Sequence, residues 1–210
     1  MHLLVTGFEA FGGASRNASE EIVTDLGSGF PASVSLSTLV LPVVTGEAAR
    51  ILIDAFERLR PDLVVMLGEA GGSDRVRLEE IAVNKRRFSM PDNSGRTIED
   101  DVVVEDGPER HRSTLPTEAL FDHLQGLDLP VERSESAGTF LCNEVSYRML
   151  HHLDRNDSPA RAGFVHVPRV PQQVTPGEPS LTIERSRDVV RRLLLRLVDR
   201  IEGTTSSSSG

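Results

Sequence analysis

The 210-residue chain carries 23 Lys and Arg against 32 Asp and Glu, a formal net charge of −9, with 38% hydrophobic residues. That is enough apolar material for one good core, and an acidic chain with scattered basic groups is a poor match for nucleic acid or an anionic membrane, which need clustered Lys and Arg. A single cysteine forms no internal disulfide, no apolar run is long enough to span a bilayer, and Met1–Gly7 shows no basic leader or cleavage pattern, so the expected setting is the cytoplasm.

His2–Thr6 reads as a buried strand, followed by a turn, Gly7–Gly13, that carries Phe8 and Phe11. The glycines there fit neither a dinucleotide fingerprint nor a phosphate loop. The two rings are either core or the apolar wall of a small-ligand site. A short helix is expected over Glu20–Leu26, a strand over Val34–Leu41 and a helix over Thr45–Leu59, capped by Thr45 and ended by Pro61. Asp62–Leu67 is a second buried strand, closed by Gly68–Gly72. Strand, helix, strand, helix, strand predicts a three-layer α/β/α fold: an open, twisted, mostly parallel sheet with helices on both faces.

Val76–Val83 reads as one strand whose alternation sends Glu79 and Glu80 to opposite faces. Lys85-Arg86-Arg87 reads as solvated surface, Met90–Gly95 as a turn, and Ile98–Val104 as an edge strand or hairpin. A helix over Thr117–Gln125, a strand over Val131–Glu135 and a strand over Gly163–Val167 follow, then a Pro-rich loop to Pro179 and a final amphipathic helix over about Ile183–Ile201. Arg191, Arg192, Arg196 and Arg200 read as its solvated face. The domain is expected to cover 1–203, with 204–210, all Thr, Ser and Gly, as a disordered tail.

Ser136–Tyr147 holds the chain's one cysteine. Ser136, Ala137 and Gly138 end a strand, Thr139 is placed to cap a helix, and Cys142 falls in its first turn. Free N–H groups and the positive dipole end favour a thiolate there, and the thiolate is the nucleophile. A lone cysteine is more often a small buried hydrophobe. His166 weighs against that reading, because it ends an apolar run before Pro168 and so stands at a strand end, where open α/β sheets build their sites.

Taken together the segments resemble the pyroglutamyl peptidase type I (pyrrolidone-carboxylate peptidase) family of cysteine peptidases, the C15 family. The resemblance runs nearly end to end. It rests on Leu4–Phe8 with Phe11-Gly12-Gly13, Gly68-x-Ala70-Gly71-Gly72, Glu79-x-x-Ala82-Val83-Asn84, Pro91-Asp92-Asn93-x-Gly95, Asp106-Gly107-Pro108, Ser113–Pro116, Ser136–Asn143 and Gly163–Pro168. It implies removal of N-terminal pyroglutamate from peptides, without metal or cofactor, by a homo-oligomer, typically a tetramer. It also implies Cys142 as nucleophile, His166 as general base and Glu79 as the carboxylate that orients the imidazole. For substrate binding it implies Phe8, Phe11 and Phe140 packing the lactam ring, Asn17 nearby, and backbone near Leu141 and Ala70 reading the amide.

The chain departs from the family pattern in places. Ser89-Met90 stands where the family motif has Arg-Ile before Pro-Asp-Asn, and Arg86 or Arg87 is the candidate to reach the same space. Glu69 replaces a glutamine common in bacterial relatives, Ala18 a proline between Asn17 and Ser19, and Leu78 a proline before Glu79. Two other readings follow from these departures. One is a divergent member with another acyl substrate or weak activity, and the other is a non-catalytic binder of lactams or peptide termini.

Overall fold

The computed structural model describes residues 1–27 and 29–207. Strand β1 (His2–Phe8) leads through helix α1 (Ala18–Thr24) to β2 (Ser35–Leu41), and α2 (Glu47–Leu59) leads on to β3 (Leu63–Ala70). Next come β4 (Val76–Glu79), β5 (Ile81–Val83), β6 (Arg110–Arg112), α3 (Thr117–Gln125), β7 (Val131–Ser134), α4 (Leu141–Arg155), β8 (Arg161–Pro168) and α5 (Ile183–Ser207). The α5 assignment runs through 204–207, inside the run read as an unstructured tail, and 208–210 lie outside the described residues.

Six strands form the main sheet in the order β2-β1-β3-β8-β4-β7. All neighbours are parallel except β4 and β8, which are antiparallel. Side-chain alternation sorts the helices between the two faces. Leu3, Val5, Leu63, Val65, Leu67, Val165 and Val167 face one core with α1, α3 and α5. Leu4, Phe8, Val64, Met66, Ala162 and Phe164 face the other with α2 and α4. The expected three-layer α/β/α arrangement is therefore present.

Differences from expectation lie where local pattern is weakest. Val76–Val83 is two strands, because the chain leaves the main sheet after Glu79 and pairs Ile81–Val83 with Arg110–Arg112 in a separate two-stranded sheet. Ile98–Val104 is not a regular strand: it runs antiparallel to Arg86–Phe88, joined by the Arg86–Asp101 bridge and the Phe88 N–H to Ile98 carbonyl bond, and Ile98 and Val103 are buried as loop anchors. Thr45 does not cap α2. Gly46 occupies that position at φ 76°, and the Thr45 hydroxyl donates to Glu144 Oε2 at 2.5 Å.

Candidate active site

Cys142 lies in the first turn of α4, as its sequence context predicts, but the cap differs. Phe140 is the N-cap and offers no side-chain acceptor, while Thr139 Oγ1 donates to the Arg87 carbonyl at 2.9 Å and ties the entry loop down. The opening N–H groups of α4 are thus left without a side-chain cap. Across from them stands Gly68, paired in register with His166. A Cβ on Gly68 would lie 2.8 Å from Cys142 Sγ and 2.7 Å from Phe164 Cζ. The bare glycine is what lets the sulfur rest against β3, and any side chain there would push it aside.

His166 is 7% exposed and Glu79 3%. Glu79 sits opposite Phe164, two residues from His166 along β8, so the two side chains are diagonal neighbours on one face of an antiparallel pair. His166 Nδ1 and Glu79 Oε1 are 2.8 Å apart, and Glu79 Oε2 is buried with no partner among the described residues. Burial alone would lower the imidazole pKa. The nearby Cys142 sulfur, then the hydrogen bond and charge of Glu79, outweigh it and raise His166 to about 9. Cys142, His166 and Glu79, spread over 87 residues of chain between Glu79 and His166 alone, are thus one contiguous group.

Beside the sulfur is a pocket walled by Phe8, Phe11, Phe140, Leu141, Asn17 and Glu69. Phe140 packs on Phe11 (6.0 Å between ring centroids) and edge-on to Phe88 (4.7 Å), and Phe8 backs onto Phe164. The free space within this wall is about 10 Å³, roughly the room of a single water, so a five-membered ring needs side chains of the wall to shift. Asn17 lines the pocket with its amide already committed: Oδ1 accepts from the Ser19 N–H and hydroxyl, and Nδ2 donates to the Glu9 carbonyl. Ala70 is half-buried at the end of β3 and is not part of this wall.

The Pro91-Asp92-Asn93 motif anchors the surrounding loops. Asn93 Nδ2 donates to Glu9 Oε1 (2.7 Å) and the Ala10 carbonyl (2.9 Å), while Asp92 accepts from the Thr45, Ser94 and Arg96 N–H groups. Burial works against the Asp92 carboxylate, but the Ser94 bonds and those from Thr45 and Arg96 hold its pKa below the usual carboxylate range. This motif therefore holds the segment that presents Phe11.

Residues 1–194 match the family model described as pyroglutamyl peptidase. The chain belongs to the pyroglutamyl peptidase family. It is 40% identical to a pyrrolidone-carboxylate peptidase of Pyrococcus furiosus over 174 residues, covering 83% of this chain and 84% of that one. It is 38% identical to one from Klebsiella pneumoniae over 190 residues, covering 90% and 88%. Its fold superposes on the crystal structure of a mutant pyrrolidone carboxyl peptidase from P. furiosus with a TM-score of 0.90 at 35% identity, over 95% of this chain and 99% of that one. For pyroglutamyl peptidase I of Bacillus amyloliquefaciens the TM-score is 0.87 at 28% identity, over 92% and 95%.

Within the family frame, the chain's departures have visible neighbours. Arg86 is engaged by acidic partners: it pairs with Asp101 at 2.5 Å and Glu144 at 3.5 Å and donates to the Val102 carbonyl, and it is largely buried there, not solvated. Arg87 is exposed. Glu69 does not point to solvent. Its carboxylate is buried, accepting from the Ala18 N–H (2.7 Å) and Gln173 Nε2 (3.0 Å), with Arg169 Nε at 3.5 Å. Sequence reasoning missed Gly68, and it missed Asn143 and Glu144, which follow the cysteine and are both buried. Asn143 spans the Val83 N–H and the Val83 and Lys85 carbonyls, and Glu144 accepts from Thr45 and the Gly46 N–H. Polar residues inside an otherwise apolar helix face were the available signal for both.

Proposed function

We propose that this chain is a cysteine peptidase that removes N-terminal pyroglutamate from peptides, with Cys142 as nucleophile, His166 as general base and acid, and Glu79 as the orienting carboxylate. The observation that carries the reading is the buried 2.8 Å bond between His166 Nδ1 and Glu79, with the Cys142 sulfur on the imidazole's other side over Gly68. The sulfur attacks the pyroglutamyl carbonyl carbon to give a tetrahedral oxyanion, and N–H groups at the start of α4 are in place to bind it. Collapse breaks the C–N bond, and the imidazolium gives its proton to the leaving amine. Water, deprotonated by the now neutral His166, then hydrolyses the thioester, releasing pyroglutamate and restoring the thiol–imidazole pair.

The apolar wall explains the choice of acyl group. A lactam ring presents one neutral amide and an apolar face, whereas a charged amino terminus would lose its hydration among Phe8, Phe11 and Phe140, and the one carboxylate in the wall, Glu69, is already engaged by the Ala18 N–H, Gln173 and Arg169. Oxyanion stabilisation rests on backbone donors, since Arg86 is bound to Asp101 and Glu144. A nucleophile that is the chain's one thiol works only while reduced, which supports the cytoplasm as its place of action. We expect its partners to be pyroglutamyl peptides, with neither nucleic acid nor membrane, and its working form to be the tetramer implied by the family resemblance.

The test is release of a fluorescent amine from its pyroglutamyl amide, set beside the prolyl and glutamyl amides. Turnover of the pyroglutamyl compound alone, abolished in Cys142→Ala, is the expected result. A folded wild type that cleaves none of the three, or a Cys142→Ala variant that still turns over, overturns the assignment.

A further inference from the structure

A second cavity opens next to the aromatic pocket and shares Phe11 and Glu69 with it. It holds about 240 Å³, room for one side chain, between Gly12 and Gly13 on one side and Met90, Arg169 and Gln173 on the other. Arg169 comes directly after β8, three residues beyond His166, so the cavity lies where β8 carries the chain past the imidazole that protonates the leaving amine.

The charges in this cavity are unequally used. Glu69 is 3% exposed at the side chain, with one oxygen taken by the Ala18 N–H and the other by Gln173 and the distant Arg169 Nε. Arg169 is 41% exposed, and its guanidinium donates no hydrogen bond to any described residue. Its stem passes Gly71, where an added Cβ would come within 3.5 Å of Nε, so the bare glycine leaves the guanidinium room beside β3. A planar guanidinium that lines the cavity, with Nε facing Glu69 and its terminal nitrogens making no hydrogen bond or ion pair among the described residues, is suited to a carboxylate, which it can meet with two parallel hydrogen bonds.

The geometry points to this cavity as the subsite for the residue that follows pyroglutamate, with Arg169 as a specificity-determining residue that favours a carboxylate there. This rests on the peptidase reading above. The carboxylate is either an acidic side chain or, in a dipeptide, the terminal carboxyl group, and both have the same chemistry.

Three substrates separate these sources: pyroglutamyl-glutamine amide, which is neutral, pyroglutamyl-glutamate α-amide, and pyroglutamyl-glutamine with a free terminus. For the wild type, kcat/KM should be about five-fold higher on at least one carboxylate substrate than on the neutral one, the advantage shrinking as salt is added. Which of the two gains identifies the source. In Arg169→Gln that ratio should fall to about one, and Arg169→Lys, a point charge without the fork, should be intermediate. Because Arg169 also faces the buried Glu69, a poorly folded Arg169→Gln is replaced by the double variant Glu69→Gln, Arg169→Gln, which removes both charges and in which the same ratio is read. Equal kcat/KM on all three substrates in the wild type, or a ratio that survives the loss of Arg169, overturns the inference while leaving the peptidase intact. No turnover of the neutral substrate or either acid overturns both.

Discussion

His166 is where residue-level physics has the clearest consequence for activity. Its pKa is raised to about 9 by Cys142 and Glu79 against the pull of burial, so in the proposed mechanism the imidazolium available to protonate the leaving amine persists through neutral pH and is lost above about 9. We predict that kcat/KM falls on the alkaline side with a midpoint near 9. Glu79→Gln removes a charge that raises this pKa, so the alkaline midpoint should move down and turnover should drop about a hundredfold, since a neutral amide orients the ring less strongly and stabilises the imidazolium less. A pH–rate profile of Glu79→Gln with an unmoved alkaline limb would show that Glu79 has no electrostatic hold on His166. The fit of these three side chains depends on Gly68, a residue with no chemistry of its own: its lack of a Cβ decides where the sulfur rests.

At the scale of elements, the start of α4 has two jobs. Its first turn carries Cys142 toward β3, and two residues further on Glu144 reaches the other way to the start of α2. The Glu144 carboxylate is 1% exposed and meets the Thr45 hydroxyl, the Gly46 N–H, Arg86 at 3.5 Å and Arg148 at 3.4 Å. An acceptor at the N-terminus of α2 also complements that helix's dipole. Glu144→Ala leaves these donors unpaired in a buried place, and we predict a loss of about 3 kcal/mol in urea unfolding. A loss below about 1 kcal/mol would mean that the α2–α4 contact is held by its apolar face alone. Asn143 makes the matching connection to the chain leaving β5, so the helix that bears Cys142 is fixed on two sides.

For the whole molecule, both cores are built on the same strands: alternate residues of β1, β3 and β8 point into the α1–α3–α5 layer and the α2–α4 layer. Neither layer can lose its packing without exposing the back of the sheet that supports the other. We therefore predict that residues 1–203 melt as one cooperative unit, with a single calorimetric transition. If the working form is a tetramer, the midpoint of that transition should rise with protein concentration, because dilution favours dissociated chains. Two resolved transitions would refute the single domain, and a midpoint indifferent to concentration would refute the oligomer as a stabilising partner.

Sequence alone determined what depends on neighbours along the chain. Continuous apolar runs in His2–Thr6 and Asp62–Leu67, helical spacing in Thr45–Leu59 and the Pro stop after His166 are local signals, and each found its element. The order of motifs named the three residues that the fold brings together. Tertiary structure decided what depends on partners remote in the chain. The antiparallel setting of β4, which makes Glu79 and His166 diagonal neighbours, comes from strand pairing across 87 residues, and no local pattern encodes it. Thr45 and Thr139 looked like caps, yet each hydroxyl found a distant acceptor, Glu144 or the Arg87 carbonyl, that competes with the cap in its own turn. Arg86 reads as a solvated charge because charge alone predicts exposure, and no local signal fixes the direction of Glu69; both are buried because the fold surrounds each with partners contributed by other segments.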